Sequence, residues 1–557
     1  MKTFIPALLI FSLAAPALAQ APKTKPTDKK DECTVAGMVV KLADSEPLRK
    51  ARVYLRSADD RTRSISVVTD NNGRFQFKGV DPGRYHLSVN RVGFVSQEYG
   101  QKKPDDPGAL LTLRPGQEVK DLLFRLIPSA VIAGKILDED GEPLPDVVVS
   151  ALRQGYLEGK RSLATETTGQ TDDLGEYRLF GLPPGRYFVS AVFPQWGRFS
   201  RGEDSEDAQP SQQGYARMYY PGTPDAAKAT PITIKAGEEI PSVEILMRQV
   251  LVYRIRGHVY NQITHKAGTQ TSILLLPRTK THEWTFGEQR SLVQKQDGSF
   301  EVSDVLPGSY VLTAMWFDEG KVHTARVPLD VSNADVEGIA LTIAPGVDIN
   351  GRIIWEGTPS LEQDELFVMP ESLEMTFGFA SNSRVAPGNT FALKGVSDGV
   401  YLARVWGQGK DCYVKDVQYA GASALEDGFT VKGAVAGTLE ITISSRGARV
   451  QGSVADSDGL PAAGIHVVLV PDQSHRAQYR LYKTQTTDQY GHFEMRGIAP
   501  GDYKVFSWED AESGAWEDPE FLRPFEEKGE RITLQDGEQK TLNLNAIRTK
   551  ATESPKS

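Results

Sequence analysis

Thr69-Asp70-Asn71-Asn72-Gly73-Arg74-Phe75-Gln76-Phe77, followed by Val80 and then Pro82-Gly83-Arg84-Tyr85-His86-Leu87, is the stretch whose reading decides the fold. An Asn-Gly step favours a tight turn, because glycine reaches positive φ without strain. The apolar residues after it fall at every second position, which is the period of a strand with one buried face. Pro-Gly then marks a second turn, and Tyr85 and Leu87 begin a second strand of the same kind.

The pattern recurs along the chain. Gly175, Tyr177, Leu179, Leu182, Pro184-Gly185 and Tyr187 repeat it. So do Gly298, Phe300, Val302, Val305, Pro307-Gly308 and Tyr310, and again Gly491, Phe493, Met495, Ile498, Pro500-Gly501 and Tyr503. A degenerate copy has Phe391, Leu393, Val396, Asp398-Gly399 and Tyr401, with Asn389 at the turn position. Asn is the side-chain-bearing residue that best tolerates a left-handed backbone. Each copy is preceded by an apolar-x-Gly-x-apolar strand centred on Gly37, Gly134, Gly257, Gly351 or Gly452.

Five copies of roughly 95–120 residues predict an all-β chain of about five tandem antiparallel β-sandwich modules, each of about seven strands. Units of this size bury their own cores, so the expectation is of beads on a string. The predicted divisions are residues 1–19 as a leader, 20–32 as a disordered lead, and modules at 33–128, 129–251, 252–346, 347–446 and 447–547. Residues 548–557 complete the chain as a disordered tail, and residues 129–251 include an aromatic insertion.

Lys2, the apolar run at residues 4–13 and Ala17-Leu18-Ala19 form the three-part pattern of a secretory signal peptide cleaved near Ala19. The apolar run is too short to span a bilayer. The expected location is therefore secreted or periplasmic, with no membrane span. A formal net charge of −10 makes nucleic acid a poor partner. Two cysteines, Cys33 and Cys412, make no disulfide framework.

Gly37-x-Val39, Pro47-Leu48, Ala51-x-Val53-x-Leu55, Thr69-Asp70, Gly73-x-Phe75 and Pro82-Gly83-x-Tyr85 resemble the carboxypeptidase regulatory-like domain. That resemblance implies a transthyretin-like sandwich, also grouped with the carbohydrate-binding-like folds. The second and fifth copies carry matching Thr171-Asp172 and Thr487-Asp488 pairs, whereas the third and fourth lack them. Tandem proteins of this type accompany peptidases, outer-membrane transporters and surface proteins. The resemblance specifies fold far more closely than function.

No catalytic site is expected. None of the eight histidines has Glu three residues later, so the zinc carboxypeptidase ligand pair is missing, and there is no Gly-x-Ser-x-Gly elbow. No metal and no cofactor are predicted. Asp138-Glu139-Asp140-Gly141 and Asp456-Ser457-Asp458-Gly459 carry clustered oxygens of the kind calcium takes, but read more simply as hairpin turns. The candidate ligand-binding residues are aromatic: Trp196, Tyr215, Tyr219 and Tyr220 in the second module, and Trp508 and Trp516 in the fifth. Aromatic rings on loops stack on sugars or anchor a partner protein. The expected function is that of an exported, non-catalytic binding protein whose partner is a polysaccharide or an envelope protein. A spacer, or an accessory subunit of a separate peptidase or transporter, is the alternative.

Overall fold

The computed structural model describes residues 31–549, apart from 61, 105, 194–212, 279–288, 294, 319–320, 359–365, 374–381 and 434–436. The predicted leader, most of the lead, most of the tail and Trp196 lie outside the described residues. The regular structure described is almost all strand, with one four-residue α-helix at Pro519–Leu522 and a few 3-10 turns. No helix among the described residues is long and apolar enough to cross a membrane.

Each repeat builds two sheets around its own core. In the first, strand Cys33–Lys41 lies between Arg74–Val80 and Glu118–Leu126, and the facing sheet contains Arg52–Ser57 and Gly83–Asn90. Phe75 and Phe77 point inward with Val35, Val53 and Leu87, while Arg74, Gln76 and Lys78 stay exposed. Four further cores, around Ile132, Ile255, Ile349 and Val450, repeat the arrangement.

Three devices explain the recurring residues. The turn residue Gly73, Gly175, Gly298, Asn389 or Gly491 has φ of 70°, 69°, 78°, 62° or 77°, so Asn389 occupies the same left-handed position as the glycines. Its carbonyl accepts the backbone N–H of Val39, Ile136, Val259, Ile353 or Val454 at 2.7–2.9 Å, tying turn to first strand in all five modules. The tyrosine after Pro-Gly turns its hydroxyl back onto the carbonyl four residues earlier. Tyr85, Tyr187, Tyr310, Tyr401 and Tyr503 donate to Asp81, Pro183, Leu306, Ser397 and Ala499 at 2.8–3.0 Å.

The glycine in the middle of the first strand is a steric requirement. A Cβ on Gly37, Gly134, Gly257 or Gly452 would lie 2.2, 1.9, 2.1 or 1.8 Å from a carbonyl oxygen of the last strand's segment. At Gly351 it would lie 2.2 Å from the Phe391 ring. That close approach accompanies one refinement of the expected sandwich: in every module the first and last strands pair in parallel. The chain crosses from the opposite sheet and returns alongside its own start, a connection a tight hairpin cannot make.

The expectation of separate beads does not hold. The fifth module docks on the first, second and fourth. Lys102 reaches Glu509 at 2.7 Å, Tyr479 donates to the Glu158 carbonyl at 2.8 Å, and Tyr413 donates to Asp536 at 2.6 Å. Lys410 of the fourth module also pairs with Asp59 of the first. These contacts use ordinary polar surface residues, which carry no periodic signal in the sequence.

Candidate functional site

The predicted aromatics among the described residues separate into buried and half-buried groups. Trp508 and Trp516 are 0% and 4% exposed. Phe506 stacks on Trp508 with centroids 4.7 Å apart, and Trp516, Phe521 and Phe525 close a second apolar cluster in the same module. These rings pack the fold and offer no stacking face. Strand His466–Pro471 is buried at every position, and this continuous apolar run was the available signal that a second layer covers its outer side. Tyr219 is buried in strand Met218–Tyr219. Tyr215 and Tyr220 pack partly buried against the second core, with Tyr215 accepting from Gln249 at 3.2 Å. Among the described residues, the exposed aromatics Phe180, Tyr260, Phe317, Trp406 and Tyr479 are spread over four modules.

The acidic turns hold their own backbone. Asp138 Oδ1 accepts the N–H groups of Asp140 and Glu142 at 3.0 and 2.9 Å, and Asp456 does the same for Asp458 and Leu460. Asp70, Asp172 and Asp488 cap the repeat turn in the same way. Among the described residues, no group of three His, Cys, Asp or Glu side chains is placed to hold a metal ion. Cys33 and Cys412 are both buried free thiols, and burial pushes the Cys412 thiol above its ordinary range.

A cleft of about 450 Å³, lined mainly by polar residues, lies where the first module meets the fifth. Its floor is the outer face of the sheet His492–Ile498, Ala448–Ala455 and Gln539–Asn545. The strand alternation that turns Val450, Val454, Phe493 and Leu544 inward turns Gln451, Ser453, His492, Glu494, Thr541 and Asn543 outward. Register places Glu494, Gln451 and Thr541 in one cross-strand row, and His492, Ser453 and Asn543 in the next. Arg84, Leu110 and Thr112 of the first module form the opposite wall.

The walls are held by a dense set of contacts. Thr112 donates its hydroxyl to Asp488 at 2.9 Å and its N–H to Gln489 Oε1 at 2.9 Å, and Gln489 Nε2 donates back to the Thr112 carbonyl at 2.7 Å. Gln117 donates to the Tyr490 hydroxyl at 3.0 Å, and Arg114 lies over the Tyr490 ring at 5.0 Å. Glu494 is surrounded by Arg496, Arg449 and Arg84 at 2.9, 3.2 and 3.5 Å. Arg84 also binds Asp59 at 2.8 Å, and this guanidinium, with Lys410, holds the Asp59 carboxyl down to about 2. None of these residues was a sequence candidate, because an outward polar position on a strand looks the same whether it meets solvent or a ligand.

The family comparison agrees with the reading of the first two modules. Residues 34–126 and 131–213 match the carboxypeptidase regulatory-like domain. No curated protein matches the chain. Among solved structures, the streptococcal ancillary pilin is 13% identical, with 56% of this chain and 99% of that one covered and a TM-score of 0.19. The minor pilin of Streptococcus agalactiae is 14% identical over 39% of this chain and 96% of that one, with a TM-score of 0.23. The Bacillus anthracis TIE protein is 13% identical over 56% of this chain, with a TM-score of 0.16, and the match spans about half of that protein, 51%.

Proposed function

The chain is a tandem carboxypeptidase regulatory-like domain protein, with that domain at residues 34–126 and 131–213, and on this premise we propose that it is an exported, non-catalytic binding protein whose target is a polysaccharide or protein of the cell envelope. The observation that carries the reading is the cleft between the first and fifth modules. It is concave, its volume of about 450 Å³ falls in the range of ligand pockets, and it is built by residues from opposite ends of the chain. Ser453, cross-strand neighbour of His492, donates its hydroxyl to Asn543 Oδ1 at 3.0 Å. Glu494 is occupied by three guanidinium groups, and Asp488 by a turn and by Thr112.

The test is retention of the mature chain on insoluble polysaccharides, peptidoglycan and washed envelope fragments. Retention on at least one matrix is expected. Passage through all of them contradicts the reading.

A scaffold without a ligand of its own is the second reading. It is favoured by the burial of Trp508, Trp516 and Tyr219, and by the contacts that fix four modules together. A protein that recruits envelope proteins while failing to bind any purified polymer would favour it.

A further inference from the structure

We propose that the cleft between the first and fifth modules binds a neutral glycan segment, through the amide and hydroxyl rows of the fifth module's outer sheet face. This rests on the binding reading above and gives it a site and a ligand class.

Three observations point to that chemistry. The first is the composition of the lining. Gln451, Gln485 and Asn543 offer amides, and Ser453, Thr486 and Thr541 offer hydroxyls. Each amide presents donors and an acceptor side by side, and each hydroxyl is both at once. Sugar hydroxyls, which also donate and accept, are matched by such groups, whereas a phosphate or carboxylate needs donors alone. The second is the state of the charges. Glu494 is ion-paired with Arg84, Arg449 and Arg496, and Asp488 accepts from backbone N–H groups and Thr112, so the carboxylates of the lining already have partners. The third is the lack of an exposed large apolar side chain. Leu110 and Phe493 line the cleft but are 5% and 4% exposed. A protein partner normally docks through a buried apolar and aromatic centre, which this floor does not offer.

The geometry suits an extended chain. The two cross-strand rows lie on three adjacent strands, spaced by about 4.8 Å across the sheet. The polar groups therefore form a grid with periodic positions in both directions. Thr112 and Arg84 close it from the side, so one wall comes from the first module and the floor from the fifth. A ligand that touches both binds the docked arrangement better than the undocked one, and binding and docking are thermodynamically coupled.

The experiment is calorimetric titration of the full mature chain with cellohexaose, mannohexaose, xylohexaose and chitohexaose, with oligogalacturonate as the acidic probe. Binding of a neutral probe is expected. The double substitution Gln451→Ala with Asn543→Ala should weaken it at least tenfold while leaving the thermal melt unchanged. Ser453→Tyr, which fills the cleft from the floor, should do the same and stands in if the double variant melts early. Trp406→Ala and Phe180→Ala, both away from the cleft, should leave affinity within twofold. Equal binding by parent and cleft variants overturns the site. Preference for oligogalacturonate overturns the neutral class. Retention on envelope fragments without binding of any glycan probe overturns this inference while the binding reading stands, and retention on nothing removes both.

Discussion

Gln489 of the fifth module pairs with Thr112 of the first as a neighbouring strand would: its side-chain amide accepts from the Thr112 N–H at 2.9 Å and donates to the Thr112 carbonyl at 2.7 Å. The residues are 377 positions apart in sequence. One side chain thus satisfies both backbone groups of an edge position that would otherwise meet water. Gln489→Ala should remove both bonds at a cost to docking of about 1–2 kcal/mol. Amide exchange at Thr112 is the readout, and its protection should fall about tenfold while exchange within the first core stays unchanged.

The tyrosine device makes a prediction for every module. Tyr187 is fully buried and its hydroxyl donates to the Pro183 carbonyl at 2.8 Å. Tyr187→Phe leaves that carbonyl without its donor and should cost about 1–2 kcal/mol in chemical denaturation. The matching change Tyr503→Phe should cost a similar amount in the fifth module, because the bond to Ala499 has the same geometry.

Glycines in the repeat differ in kind. Gly452→Ala places a methyl 1.8 Å from the Leu542 carbonyl oxygen, so the parallel strand must move away. A loss of more than about 3 kcal/mol, or failure of the fifth module to fold, is expected. Gly459 has φ of 77° but nothing within 4 Å of the added Cβ. Gly459→Asn should therefore cost well under 1 kcal/mol, in the range of ordinary surface changes.

His466 provides an acid limb. It is 6% exposed beside the Trp516 ring at 5.3 Å, and burial alone lowers its pKa to about 4. The unfolded chain therefore takes up a proton near pH 6.5 that the folded chain refuses until about pH 4. Stability is unaffected by this group above pH 6.5 and is lost as pH falls from 6.5 towards 4. The full shift corresponds to an order of 3 kcal/mol. His466→Phe should flatten that part of the stability–pH curve. Loss below pH 4, where carboxylates such as Asp59 protonate, should remain.

Legibility in the sequence tracks the physical origin of each feature. The repeat was readable because turn glycines, alternating apolar residues and the Pro-Gly-x-Tyr step are each imposed by backbone geometry within one module. Asn389 shows how far this goes, since its φ of 62° reproduces the glycine position it replaces. The parallel pairing of first and last strands left no comparable mark, because a buried strand has the same alternation in either direction. Docking of the fifth module on the first was equally silent: Thr112, Asp488 and Gln489 are common surface residue types. The aromatic candidates misdirect attention because aromatic side chains serve a hidden second core as readily as a ligand. Trp508 and Trp516 serve the core, and the cleft that replaces them as candidate site is built from amides and hydroxyls.

The docked arrangement is tested most directly by zero-length carbodiimide coupling of the monomer, followed by peptide mass spectrometry. Such coupling joins a lysine only to a carboxylate already in contact with it. Lys102 and Glu509 lie 2.7 Å apart across the junction of the first and fifth modules, 407 residues apart in sequence, and Lys410 pairs with Asp59 across the fourth and first. Lys504–Glu526, also at 2.7 Å but within the fifth module, serves as the internal standard. Recovery of both inter-module links at yields comparable to the standard is the expected result. Recovery of the standard alone, with Lys102 and Lys410 unmodified, would contradict the closed arrangement and with it the cleft.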